Sequence, residues 1–217
     1  MSRFFKLAAS AGIFALGFAS LAQAGPAWEF TTPGSSFTNG SWDFGTDFGV
    51  NTTVTVSGLG YYADPITGNA DGNQTALYQC TDSTCTATTG PALASVTVDN
   101  TNPLTGHFRY DTISPITLIA GDYYQVDGVS NVDNYTWNDP GFATDPAITY
   151  LANTWTSNPI GADFQGFVQN DVSDGYWGPG LFLGAATFAA PAPEPASLAL
   201  FGAGLARLRL IRRRKRT

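Results

Sequence analysis

The most constraining feature of this chain is an alternation of period two in "VNTTVTVS". Val50, Thr52, Val54 and Val56 alternate with Asn51, Thr53, Thr55 and Ser57. That spacing places every second side chain on one face, as a half-buried β-strand requires, and Leu59 to Tyr62 extend it past a glycine bend. "TALYQC", "ALASVTV", "HFRYD", "PITLIAG", "YYQVDGV", "AITYLANTW" and "LFLGAATF" repeat the signal at short intervals. Turn clusters such as Asn39-Gly40, Asp71-Gly72, Asn102-Pro103 and Asp139-Pro140-Gly141 separate them. These residues favour tight turns because of their short side chains, left-handed tolerance or fixed φ. Between residues 25 and 190 no segment keeps an apolar period of 3.6 over three turns. Many short strands without helices predict an all-β chain, an antiparallel β-sandwich of one domain. No repeat of fixed period is present. Residues 157 to 180 read as long loops, and Ala189 to Ala192 as a linker.

Both ends differ from this body. Arg3 and Lys6 precede the uncharged apolar run Leu7 to Leu21, followed by Ala22-Gln23-Ala24. That order predicts a signal helix over residues 1–24, cut after Ala24 at its small-residue Ala22/Ala24 site. The formal charge of -7 conceals an uneven distribution. Residues 25–190 hold 16 acids against the single cation Arg109, a net −15, while seven of the ten Lys and Arg lie between Arg207 and Arg216. An acidic body repels nucleic acid and anionic headgroups, so no nucleic-acid partner is expected.

The tail, residues 191–217, has three parts: Pro193-Glu194-Pro195, an apolar segment 196–206, and an Arg-rich end 207–217. Eleven apolar residues make a short hydrophobic helix of roughly 17 Å, against a hydrocarbon core of about 30 Å. As a stop-transfer signal it suffices, because the arginines prefer the cytoplasmic side. Pro193 and Pro195 keep the preceding stretch extended. This tripartite order resembles the PEP-CTERM sorting signal, whose region also carries the name of the ice-binding protein C-terminal domain. The resemblance implies an exosortase-type processing enzyme as partner, transient membrane contact, and release or attachment among extracellular polysaccharide. An uncut C-terminal anchor is the alternative. Across residues 50–188, "VTVSGLGYY", "ALASVTV", "LTGHFRY", "SPITLIAGDYYQV" and "GYWGPGLFL" resemble a jelly-roll-like β-sandwich of unknown function found in secreted bacterial proteins.

Chemistry-bearing residues are few. Cys80 and Cys85, the only cysteines, predict a disulfide in an exported chain. His107, the only histidine, sits in a strand-like stretch and reads as structural. Asp43 and Asp47 in "WDFGTD" form a conceivable carboxylate pair of the kind glycosidases use, yet no catalytic motif accompanies them. The body therefore reads as non-enzymatic. Asp64, Asn69, Asp71 and Asn73 offer oxygens for calcium, with Asn131, Asp133 and Asn134 a second candidate set; neither follows an EF-hand pattern, and no other cofactor is implied. Five tryptophans allow ring stacking on sugars. Trp137, Trp155 and Trp177 occupy loop-rich stretches and are the candidate glycan platform, whereas Trp28 and Trp42 are expected in the core. The sequence thus predicts an exported, non-catalytic matrix protein, with a carbohydrate-binding module as the alternative.

Overall fold

The structure, a computed structural model, describes residues 24–157, 159–166 and 175–184. Residues 1–23 of the signal segment, including Ala22, and the tail with Pro193, Glu194 and Pro195 lie outside the described residues, as do both expected terminal helices; Ala24 is the first residue described. Every element among the described residues is a β-strand, and every pairing is antiparallel. Two five-stranded sheets pack face to face. The first runs β1 (Gly25–Pro26), β15 (Pro179–Leu183), β5 (Val54–Tyr62), β9 (Phe108–Leu118) and β8 (Leu104–Thr105). The second runs β13 (Ile148–Ser157), β4 (Trp42–Val50), β10 (Tyr123–Val129), β6 (Asn73–Gln79) and β7 (Ala94–Val98). The expected antiparallel β-sandwich is present.

Alternating inward residues of both sheets build one core. Phe48, Leu77, Tyr124 and Val126 from the second sheet meet Val56, Leu59, Tyr61, Tyr110 and Leu181 from the first. Burial of each large apolar side chain stabilises the fold by about 1.5–3 kcal/mol. The opening alternation proves to belong to two strands. Val50 ends β4, the exposed residues Asn51 to Thr53 cross between the sheets, and Val54 begins β5. The period survives the crossing because Val50 and Val54 reach the same core from opposite sheets. "HFRYD" and "PITLIAG" fuse into the single strand β9, whose register against β5 shifts between Val56 and Gly58. Pro115 falls inside that irregularity, where its missing N–H breaks no regular ladder bond.

Two small sheets close one end. β3 (Ser35–Phe37) and β14 (Tyr176–Trp177) flank β11 (Tyr135–Trp137), and β12 (Ala143–Thr144) pairs with β2 (Trp28–Glu29). Trp28 is core, as expected, with its ring 5.9 Å from Phe48 and 6.4 Å from Trp177. Cys80 and Cys85 form the predicted disulfide beyond the end of β6, Cα atoms 4.9 Å apart. His107 occupies the turn between β8 and β9 rather than a strand. Its Nδ1 lies 2.7 Å from Glu29 Oε1, its ring stacks on Phe30 at 4.7 Å, and Gly106 before it adopts φ +60°.

Candidate functional site

A surface groove of about 180 Å³ opens where the small β14-β11-β3 sheet meets the end of the second large sheet. Strand alternation sorts its walls. In β11, Tyr135 and Trp137 face the groove while Thr136 turns inward to donate its hydroxyl to Asp139 Oδ1 at 2.7 Å. Phe37 stands opposite Tyr135 in register, and Tyr176 opposite Trp137. The other wall is Trp42 and Phe44 of β4 with Trp155 of β13, which pairs with Phe44. Trp42 and Trp155 meet edge to face at 5.3 Å, and Trp137 stacks nearly parallel on Tyr176 at 5.9 Å. Asn39 completes the groove: its Oδ1 accepts from Trp42 Nε1 at 2.6 Å and from Tyr135 OH at 3.2 Å. Burial, and then the neighbouring Tyr176, raise the Tyr135 phenol, which keeps it a donor. Among the described residues, no carboxylate, histidine, lysine or arginine lines this groove.

Two of the three tryptophans expected on a platform, Trp137 and Trp155, are therefore brought together. Trp137 is 36% exposed and Trp155 half-buried. Trp177 is not with them. It is 2% exposed, packed on Phe142 at 4.3 Å, because "YW" in β14 points its two rings to opposite sides and the groove takes Tyr176. Trp42, expected in the core, is half-buried and lines the groove instead. Sequence reasoning missed Phe37, Trp42 and Tyr176. A strict odd-even reading of "TNGSWDF" and "GYW" would have placed Trp42 with Phe44 and set Tyr176 apart from Trp177.

The calcium candidates are hydrogen-bonded into loops. Asp64 Oδ1 accepts the N–H groups of Ile66 and Thr67 at 2.9 and 2.8 Å, and its Oδ2 accepts from Ser36 Oγ. Burial would raise this carboxyl, but Ser36 and those N–H groups outweigh it and hold it at about 2. Asn69 Nδ2 donates to Tyr62 O and Asn73 Oδ1, and Asn73 Nδ2 to Val129 O and Ser130 O. Asp133 accepts Ala70 N and Asp71 N at 3.1 Å each, and Asn131, at φ 50°, donates to Gly72 O. The two expected sets thus clasp one loop to another through hydrogen bonds, with Asp71 exposed beside them. Among the described residues no group of three or more His, Cys, Asp or Glu converges to hold a metal ion.

Asp43 and Asp47 do share a face, that of β4 directed away from the core, with Gly45 between them. Residues 159–166, which follow β13, fold over that face: Asp163 N and Gln165 Nε2 donate to Asp43 Oδ2 at 2.9 and 2.8 Å. Gln125 of β10 donates to Asp47 Oδ1 at 2.5 Å and to Gln165 O at 3.1 Å. Burial pushes both Asp43 and Asp47 up to about 7, with those donors opposing it. Asp127, opposite Gly45 on β10, lies still deeper, and burial followed by the charges of Asp43, Asp47 and Asp163 raises it well above the carboxylate range.

Fold and groove together define an antiparallel β-sandwich with an aromatic platform at one end, uncharged among the described residues. No family model matches the chain, and no curated protein matches it.

Proposed function

We propose that this is an exported, non-catalytic protein of the cell surface or extracellular matrix that holds polysaccharide in the aromatic groove. One observation carries the reading: Phe37, Trp42, Trp137, Trp155 and Tyr176, drawn from five separate strands, gather on one surface that holds no charged side chain among the described residues. A core would enclose such rings. Here they border solvent, where flat apolar faces with polar edges suit the C–H faces and hydroxyls of pyranose rings. A net −15 over residues 25–190 turns away polyanions, which favours neutral or cationic glycans. The signal segment and the Pro193-Glu194-Pro195 tail supply the route out, with an exosortase-type enzyme removing or exchanging the tail.

Affinity electrophoresis of the protein in gels containing the producer's own exopolysaccharide tests the reading. Retardation that disappears in Trp137→Ala and Trp155→Ala is the expected result. Equal mobility with and without polysaccharide would leave a matrix component that binds no glycan. Intact mass of the extracellular form tests the sorting step: a mass lacking residues 207–217 is expected, and one that includes them means the tail is kept.

A further inference from the structure

The covered face of the second sheet holds an arrangement that glycan binding does not use. Alternation turns Asp43 and Gly45 of β4, Asp127 of β10 and Thr154 of β13 to this side. Asp127 and Thr154 flank Gly45 in register on its two neighbouring strands, and both are fully buried. A Cβ at Gly45 would stand 2.2 Å from Thr154 Oγ1, 2.7 Å from Asp127 Oδ1 and 3.1 Å from Gln125 Cδ, so both oxygens lean into the space that this glycine leaves, beside the Gln125 amide. Yet neither oxygen hydrogen-bonds the other or any other described residue, and the same is true of Asp127 Oδ2. Asp43 Oδ1 lacks a partner at full hydrogen-bond geometry, with the Gly128 N–H the nearest donor to that carboxylate. Leaving such groups buried and unpaired costs roughly 1–3 kcal/mol each.

Basic side chains offer no remedy. Arg109, the only cation of residues 25–190, lies in the other sheet and donates to Asn102 O at 2.7 Å. A proton on Asp127 and the hydroxyl hydrogen of Thr154 would supply two donors for these four oxygens, so protonation is the competing account, which melting in calcium or in chelator separates from an ion. A hard divalent cation takes carboxylate, hydroxyl and water oxygens together, at about 2.3–2.6 Å for calcium. The outer oxygen of Asp43 is already anchored by Asp163 N and Gln165 Nε2, which fixes the carboxylate and frees its Oδ1. We propose that Asp127, Asp43 and Thr154 bind a divalent cation of the calcium type over Gly45, beneath residues 159–166. Two carboxylates, a hydroxyl and water make this a site of modest charge, distinct from an all-acid cage. Its ligand strands β4 and β13 carry Trp42, Phe44 and Trp155 on their other face, so the ion ties together two strands of the groove wall.

Thermal melting of the full chain at pH 7 in calcium chloride or in chelator tests this without any polysaccharide. A saturating ion is expected to raise the midpoint by roughly 5 °C or more. Asp127→Asn should abolish that response, and Thr154→Val should weaken apparent calcium affinity about tenfold. A wild-type midpoint identical in calcium and chelator overturns the proposal and assigns the buried carboxylates to protons. A response undiminished in both variants overturns it too, by placing the ion elsewhere. If Asp127→Asn fails to fold, Thr154→Val decides alone, since it removes one oxygen at nearly constant volume.

Discussion

The two faces of the β13-β4-β10 sheet are equally buried and chemically opposite. Toward the first sheet, Phe48, Tyr124 and Val126 pack among apolar neighbours. Away from it, Asp43, Asp47 and Asp127 lie under residues 159–166 with amide donors and no counter-charge among the described residues. One face is held by removing apolar surface from water; the other joins a small apolar cluster of Ala76, Val129 and Ala162 to polar groups that must find partners within the protein or from an ion. Burial alone therefore says little about what a side chain contributes. Which partners remain after burial decides the sign.

Substitutions should have opposite consequences on the two faces. Phe48→Ala empties part of the core and is expected to cost about 3–5 kcal/mol in chemical denaturation. Asp47→Asn, measured in chelator by the same method, should be neutral or stabilising, because it removes a buried charge while its neighbour Gln125 keeps an oxygen to bond. An equal loss in both variants would erase the distinction. Acid titration sharpens it further. Folding raises Asp43 and Asp47 from 3.8 to about 7, so between those values the folded chain binds more protons than the unfolded one. In chelator, stability should rise as the pH falls from about 7 toward 4. Asp64 acts the other way, since its contribution is lost as the pH falls from 3.8 to about 2. Urea midpoints from pH 8 to pH 2 should therefore pass through a maximum on the acid side, and a steady fall from pH 7 would contradict it.

Smaller effects belong to the edges. Replacing Cys80 and Cys85 by Ser opens a ring with a sequence separation of 5, and should cost about 2 kcal/mol in denaturation midpoint. In the groove, Trp137→Ala should reduce polysaccharide affinity about tenfold while shifting stability by no more than about 1 kcal/mol, because the ring is partly exposed already. Loss of fold in that variant would make Trp137 a core residue and deprive the groove of its role.

Much of the fold was legible because strand alternation and turn residues are local signals. β6, β7, β10 and β13 fall where "TALYQC", "ALASVTV", "YYQVDGV" and "AITYLANTW" predict strands. β4 escaped notice because Asp and Gly are poor strand formers, and its residues alternate between two covered faces. Aromatic residues were the hardest to place. Trp137 and Trp177 look alike in sequence, each preceded or followed by loop residues, and one is in the groove while the other is core. The difference comes from strand pairing: Trp137 faces Tyr176 across β11 and β14, which sends Trp177 inward beside Thr136. Likewise Asp43 and Asp47 were legible only as a conceivable pair; β4 puts them on one face, and nothing local revealed that Asp127 would join them.

By itself the sequence determined an all-β body, its acidity and its disulfide, and it offered Trp137, Trp155 and Trp177 as stacking candidates, since each follows from short-range spacing or residue count. Only the tertiary structure decided which rings meet at the groove and which oxygens are enclosed over Gly45. Those outcomes depend on strands far apart in the chain, whose register and covering segments set what each side chain can touch.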